Sequence, residues 1–536
     1  MMRTEPSVAP YRSAQPESHD GFAALVRAEW TKLRSVRGWL IALVAGAVLI
    51  VALAVLNGEG SHSGFCTGGR NGQAPHCVVG HPPEPTGPGG EVIVDTYELV
   101  HQPLTGNGSI TARLTSFTGI VGNSGPVQVG QALADSHPGL AGWSKGGIII
   151  TDSTRQGAPY AAVMQTGGHG VHMQYDFTHD LAGSATQASP ASPRWLRLTR
   201  SGDTITGYES ADGTHWTTIG AATLPGLPAT VQAGIFTTSP MLDISTQHLV
   251  VTTGSEAATQ ATAVFDSVSL DGGQPAGTWT GDDVGEDPRA GPSGLNSYEQ
   301  GAGTFTLTGA GDIAPAPDAA GTRGIEASLN GAFVALIVFL VLGTLFVTSE
   351  YRRGLVRTTL AATPRRGRVL AAKAVVLGVS TFVISLAGIA VALPVGEKLL
   401  RGNGNFVAHV STPTLIRVVV GTAAVLAVSA IVALGIGTVL RRSAGAITAA
   451  IVGLLLPIIL ATSGLPTGAS EWLLRLTPAA SFAVQQTAVV YPMVSFPHTP
   501  ANGYFPLPAW AGFLVLCAWA AVALGVATYL LNRRDV

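Results

Sequence analysis

The residues with chemical potential outside the apolar runs are few and scattered. His169 and His172 stand together in GGHGVH, and Asp282 and Asp283 are adjacent. A metal centre needs three or four converging ligands, and this histidine pair supplies two, so it reads as surface or strand-edge histidine. Adjacent carboxylates in a loop read as solvated charge, because glycoside hydrolysis needs two carboxyls facing each other across a cleft. The chain has no GxxxxGK[ST] run to cradle ATP phosphates and no HExxH helix. No Ser-His-Asp or Cys-His signature stands out. Cys66 and Cys77 share one Gly- and Pro-rich loop without CxxC spacing, which argues against zinc. In an oxidising compartment they are a candidate disulfide, and closing so short a loop is worth roughly 3 kcal/mol. Cys517 lies in an apolar run and reads as filler.

The informative chemistry is cationic, and its placement matters more than its amount. Arg27, Lys32, Arg34 and Arg37 precede the first apolar run. Arg352, Arg353, Arg357, Arg365, Arg366, Arg368 and Lys373 separate the second run from the third. Arg441 and Arg442 separate the fourth from the fifth, and Arg533 and Arg534 follow the sixth.

The elements that position these charges are membrane helices. Only 12% of the 536 residues are charged, and the mean hydropathy is +0.35; soluble chains carry roughly 25% charged residues. Six stretches, 39–56, 331–348, 374–395, 418–440, 444–461 and 510–531, contain no Asp, Glu, Lys or Arg. Each is near the ~20 residues that span a bilayer core as a helix, the only single-segment fold that satisfies its own backbone there. The first is longer than a signal-peptide core and lacks a clear small-residue cleavage site after it, so it reads as a signal anchor. The positive-inside rule places all four basic groups in the cytoplasm, with both termini inside and residues 57–326 outside. That outer segment holds 24 Asp and Glu against 9 Lys and Arg, a net charge of −15.

Residues 1–20 read as a disordered cytoplasmic tail. Residues 21–37 read as an amphipathic interfacial helix, with Phe22, Leu25, Val26, Trp30 and Leu33 at helical spacing. Helix one covers 38–56, and a Gly/Pro-rich outer loop covers 57–90. Residues 91–275 show short β runs between turns such as Ser201-Gly202-Asp203 and Ala211-Asp212-Gly213, the pattern of an all-β sandwich or jelly roll. A β-containing stalk, 276–326, leads to helix two at 329–349 and a cytoplasmic loop at 350–373. Helices three to five fill 374–462, an outer segment fills 463–509, helix six covers 510–531, and 532–536 is a cytoplasmic tail. Pro394 and Pro457 are expected to kink helices three and five.

Two resemblances follow from these residues. WSKGGIIITDSTRQGAPYAAVMQTGGHGVHMQY (143–175), SPRWLRLTRSGDTITGYESADGTHWTTIG (192–220) and AVFDSVSL (263–270) resemble bacterial concanavalin A-like, laminin-G-like jelly rolls. EWTKLRS (29–35) and EYRRGLVRTTLAATPRRGRVLAAK (350–373) resemble the first helix approach and the cytoplasmic loop of ABC-2 type permeases. SEWLLRLTPAASFAVQQ (470–486) resembles that family's outer re-entrant segment. The family's first outer loop is usually short, so the inserted domain is a departure that leaves the substrate open.

The resemblance implies a non-catalytic permease subunit of an ABC exporter, with no cofactor of its own. ATP and magnesium would sit on a separate ABC ATPase subunit, and a second permease copy or a sister permease would complete the path. It assigns ATPase docking to Glu350, Arg353, Gly354, Pro364, Arg365 and Lys373; the basic loop itself adds Arg357 and Arg366, and the amphipathic spacing gives Glu29, Trp30 and Lys32 to the interfacial helix. The same arginines would also fix topology and touch anionic lipid. The apolar helix centres argue against an ion-coupled carrier. In the outer domain Trp143, Tyr160, Tyr175, Tyr208 and Trp216 are candidate rings for an envelope glycan or an exported substrate, and Trp195 reads as core. Nothing points to nucleic acid. Two rival readings are a membrane-anchored surface receptor for glycan or protein, and a membrane-anchored hydrolase.

Overall fold

A computed structural model describes residues 21–533 except 63, 68–75, 80–84, 123–132, 134–135, 249–250, 273–276, 286–294, 317–321, 353, 355–364, 409, 463–464, 495–497 and 499–502. Arg353, Arg357, Pro364 and the 1–20 tail fall outside the described residues.

The helical part begins with α1 (Phe22–Ser35) and α2 (Arg37–Gly60), separated by the extended Val36. After the β region come α3 (Asn330–Arg352), α4 (Arg366–Gly402), α5 (Thr412–Leu440), α6 (Ser443–Leu454), α7 (Leu456–Thr462), α8 (Thr467–Leu476) and α9 (Ala509–Arg533). Among the described residues six spans are long and apolar enough to cross a membrane: α2, α3, α4, α5, the α6–α7 pair and α9. Pro394 stays inside α4 without ending it, whereas Pro457 lies in the first turn of α7, where its missing N–H costs nothing. Helix α4 is far longer than the apolar run 374–395, because charged turns extend it at both ends.

Small residues let these helices approach closely, as lipid-embedded packing requires. A Cβ on Gly343 of α3 would meet the Ala430 carbonyl oxygen of α5 at 2.3 Å, and one on Gly46 of α2 would meet the Phe339 ring at 2.4 Å. The α3 and α5 windows are each 67% buried against 22% for α2 and α9, so α3 and α5 form the centre. The 3₁₀ segment Pro478–Gln485 is buried throughout and packs on α9 and α5, where Gln485 Nε2 donates to Thr422 Oγ1 at 3.2 Å.

The β region is a two-sheet antiparallel sandwich. The first sheet runs β10 (His179–Ala182), β9 (Val171–Tyr175), β8 (Tyr160–Thr166), β7 (Lys145–Thr151), β14 (Thr230–Thr238), β4 (Tyr97–Thr105), β18 (Thr280–Val284). The second runs β13 (Thr217–Thr223), β12 (Thr204–Ser210), β11 (Arg194–Ser201), β5 (Gly108–Val121), β17 (Thr259–Asp271), β20 (Thr304–Gly309), β19 (Ser297–Gly301). Val100, Ile148, Leu196, Ile205 and Phe265 fill the space between them. A second core with Tyr97, Ile149, Tyr160, Phe177 and Phe236 lies on the other face of the first sheet, so β7 and β8 are buried on both sides. The stretch read as a stalk differs from expectation: β18, β19 and β20 complete both sheets, and Ile313–Pro315 pairs with Ile93–Asp95. Strands β18 (TGDDV) and β19 (SYEQG) carry little apolar alternation, which hid them, whereas β20 (TFTLTG) alternates and shows as a β signal at 303–308 in the sequence.

Both chain passages between sandwich and bundle reach one loop, Asn403–Val407. Asn403 Nδ2 donates to Gly58 O at 2.7 Å, and Asn405 Nδ2 donates to Ser61 O at 2.7 Å. On the return, Thr322–Arg323 pairs in parallel with Phe406–Val407.

Candidate functional site

Helix α1 turns Val26, Glu29 and Leu33 toward the bundle, while Phe22 and Trp30 face outward at 41% and 48% exposure. The sequence grouped Trp30 with Leu33; the helix separates them, leaving the ring exposed and putting a carboxylate on the buried stripe. That carboxylate meets two other charged elements. Lys373, directly before the apolar run 374–395 of α4, donates from Nζ to Glu29 Oε2 at 2.7 Å and to Glu350 Oε1 at 2.6 Å. Glu350 is in the last turn of α3. Lys32 Nζ closes the cluster at 2.7 Å from Glu29 Oε1 and 3.4 Å from Glu350 Oε1.

The four charges alternate in sign and sum to zero. Glu29, Lys373 and Glu350 have side chains only 4%, 5% and 13% exposed, while Lys32 is 41% exposed and forms the wet edge. Burying one such ion alone would be prohibitive; paired and hydrogen-bonded, the cluster holds α1, α3 and α4 in one register. Burial pulls the Lys32 ammonium down, but hydrogen bonding and attraction from Glu29 and Glu350 outweigh it and raise its pKa above the ordinary value. The Phe346 ring lies 5.1 Å from Lys373 Nζ.

The other expected docking residues divide. Gly354 is exposed at φ +68°, and its N–H reaches Tyr351 O as α3 ends. Arg365 is exposed at the N-terminus of α4, while Arg366 donates to Leu531 O near the end of α9. Arg366 therefore also ties α4 to the last carbonyls of α9. Arg441 lies over the Tyr351 ring at 5.3 Å, on the same end of the bundle. At the opposite end a cavity of about 420 Å³ is lined by Arg417, Gln486, Thr487, Phe505 and neighbours, with Arg417 donating to Gln486 O.

In the sandwich, the candidate rings do not converge. Tyr160 is core, 2% exposed and edge-on to Phe177, which corrects its reading as a ligand-facing ring. Trp143 is also buried, stacked on His169 at 4.0 Å. Tyr175 stacks on His179 at 4.3 Å, and Trp216 carries the Arg197 guanidinium 3.9 Å over its face. Tyr208 is half-buried on β12. Trp195, read as core, instead lies half-buried with Arg113 5.5 Å from its ring. His172 pairs with Asp180 at 2.9 Å, and no group of three or more potential metal ligands occurs among the described residues. Cys66 stands opposite Cys77 in the ribbon Gly64–Thr67/His76–Val79.

Two carboxyls here are strongly perturbed. Burial pushes Asp95 up to about 7 against the opposing Gly157 N–H and Lys145 charge. Burial and the neighbouring Asp283 and Asp282 carboxylates push Glu98 up to about 7.

The Glu29–Lys373–Glu350 contact was missed from sequence because its members are more than three hundred positions apart in part. The available signal was Glu29 itself, a charge at helical spacing between Val26 and Leu33.

Residues 206–536, more than half of the chain, match the family described as ABC-2 family transporter protein. No curated protein matches the chain. Among solved structures it is similar to scytalido-glutamic peptidase with a transition state analog inhibitor, at 8% identity over 40% of this chain and 98% of that one, TM-score 0.22. It is also similar to a functionally unknown protein from Saccharomyces cerevisiae, at 18% identity over 33% of this chain and 74% of that one, TM-score 0.15. Likenesses at these scores carry no argument.

Proposed function

The chain belongs to the ABC-2 family of transporter proteins, and from that premise we propose that it is the membrane-spanning subunit of an ATP-driven exporter. The match over residues 206–536 carries this reading. The chain has no phosphate-cradling motif, so ATP and magnesium belong to a partner ABC ATPase. The charged end of the bundle, with Glu29, Glu350 and Lys373, is the cytoplasmic end, and the sandwich stands outside as a concanavalin A-like insertion.

The ATPase docks on the basic loop between α3 and α4. Movement of that loop reaches α1 through Lys373, which bonds a carboxylate on each neighbouring helix. The arrangement suits rigid-body coupling, because a buried ion network has few alternative geometries. The exposed apolar faces of α2 (Ile41, Val44, Val48) and α9 (Leu514, Val522, Val526) meet lipid or a second permease subunit.

The test is purification of the full-length protein from its native membrane in mild detergent. A separate ATPase chain should co-purify, and reversing charge at Arg353, Arg357 and Arg365 together should weaken that association or uncouple ATP hydrolysis from transport. Association and transport that survive the triple variant would leave these arginines as topology signals, and absence of any ATPase chain would overturn the reading.

A further inference from the structure

Lys145, the first residue of β7, has a side chain with 0% exposure, and the Asp312 side chain that it meets is only 9% exposed. Lysine almost never enters a core so completely unless it is paired there. It shares its face of β7 with Ile149, the face that carries the second core with Tyr97, Tyr160 and Phe236. Its Nζ donates to Asp312 Oδ1, and to Ile313 O at 2.7 Å. The Lys145 charge also reaches Asp180, but that carboxylate is already held by His172 and Gln174, each at 2.9 Å.

The fold fixes both partners from outside the contact. The Thr96 N–H donates to Asp312 O at 2.8 Å, and the Ile313 N–H donates to Asp312 Oδ1 at 2.8 Å. Ser144 Oγ, beside Lys145, lies 2.8 Å from Ser239 Oγ, and Ser239 O accepts from the Gly311 N–H at 2.9 Å. Ser239 therefore ties the chain on both sides of the pair. Gly311, at φ +123°, makes a turn that a side chain would resist. An amine and a carboxyl held together in this way react as one molecule, with an effective concentration of up to roughly 10⁵–10⁸ M. Exclusion of water suppresses the hydrolysis that opposes such a condensation in solution. Condensation would also replace two buried charges, each costly to desolvate, by one neutral amide.

We propose that Lys145 and Asp312 join covalently, Nζ to Cγ, as an intramolecular isopeptide bond. A proton first passes from the ammonium to the carboxylate, giving a neutral amine and a carboxylic acid. The amine lone pair attacks Asp312 Cγ. A C–N bond forms, a C–O bond breaks, and the hydroxyl leaves as one water with a proton lost from nitrogen. Asp95 is the carboxyl that carries this proton. It is 4% exposed and pairs across the sheet with Ile313, the residue after Asp312. Burial pushes its pKa up to about 7, so it holds a proton to give to the departing hydroxyl and is restored by the proton from nitrogen. The bond fastens β7 to the chain just before that chain returns to α3, and it is independent of the transport reading.

The test is a peptide map of the full-length protein, purified in mild detergent, reduced, alkylated and digested with trypsin. Trypsin does not cut after an acylated lysine. The expected product is a branched peptide that joins Lys145 to Asp312 and is lighter by one water than its two parts. Cleavage after Lys145 together with an unbranched peptide containing Asp312, and no branched product, would overturn the proposal. Fragmentation that places the link on any other pair would do the same. Lys145→Arg keeps a positive charge but lacks the amine, so its map should show only unbranched peptides. In freshly made, folded protein, Asp95→Asn should lower the branched fraction at least about tenfold, as loss of a general acid does; an undiminished fraction would remove Asp95 from the reaction. If either variant fails to fold, the map of the unaltered protein still decides whether the bond exists.

Discussion

Lys373 Nζ lies 2.7 Å from Glu29 Oε2, although the two residues are 344 positions apart in the chain. The whole β sandwich and two spans lie between them in sequence, yet the contact is among the most buried ionic contacts in the bundle, with side-chain exposures of 5% and 4%. Its position makes α1 part of the helical bundle rather than a free amphipathic segment.

Removing the cation from this cluster should therefore be worse than removing the cluster. Lys373→Met leaves Glu29 and Glu350 facing each other with only the half-exposed Lys32 between them, and breaking a buried pair costs about 3–5 kcal/mol. The triple variant Glu29→Gln, Glu350→Gln, Lys373→Met should recover much of that loss. Monodisperse yield and thermal midpoint in detergent measure both, and a triple variant less stable than Lys373→Met would contradict the account.

The sandwich should lose stability as pH rises toward neutral. Asp95 and Glu98 have folded pKa values raised to about 7. Their native state therefore binds more protons than the unfolded chain between about pH 4 and pH 7. Stability from these groups is complete below about pH 4 and disappears as pH rises through 7, on the order of a few kcal/mol per group. Amide-exchange protection of β4 and β18 in the full-length protein, corrected for intrinsic rates, should fall from about pH 5 to about pH 8. Asp95→Asn and Glu98→Gln should flatten that fall; an equally steep fall in both variants would remove these carboxyls as its cause.

The register that sets Cys66 opposite Cys77 predicts a cross-strand disulfide. Non-reducing digestion and mass spectrometry should recover the two peptides linked. Full alkylation of both cysteines without reductant would exclude it. Cys66→Ser should then loosen the ribbon by about 3 kcal/mol, the loop-closure value for a short loop.

Trp216 should behave as a structural ring. With Arg197 3.9 Å over its face, Trp216→Ala should lose about 1 kcal/mol of cation–π stabilisation, read as a lower thermal midpoint of the full-length protein. An unchanged thermal midpoint would contradict this role.

What the sequence disclosed depended on whether a signal was local. The six spans were legible because each is a continuous apolar run, and Pro457 marked the break between α6 and α7. The strands around Gly202 and Gly213 were legible because turn residues punctuate them; both glycines adopt positive φ. Strand β4 was not, because YELVHQPLT mixes charged, polar and apolar residues in an interior strand that faces two cores. The inward position of Arg194 and Glu209 was not legible, because it follows only from sheet pairing and burial along β11 and β12. In the same way, Lys373 read as one of the docking and topology charges of the cytoplasmic loop, and its contact with Glu29 emerged only from the packing of α1 beside it.

The loop Asn403–Val407 has a mechanical meaning. It grips the outgoing chain at Gly58 and Ser61 and the returning chain at Thr322 and Arg323. The outgoing and returning chain thus meet at the far end of α4, whose near end holds Lys373. A helix that rocks about its middle moves its two ends in opposite directions. Any tilt imposed on α4 beside Glu29 and Glu350 would reach both straps of the sandwich together, as a lever turns a signal arm fixed to its far end.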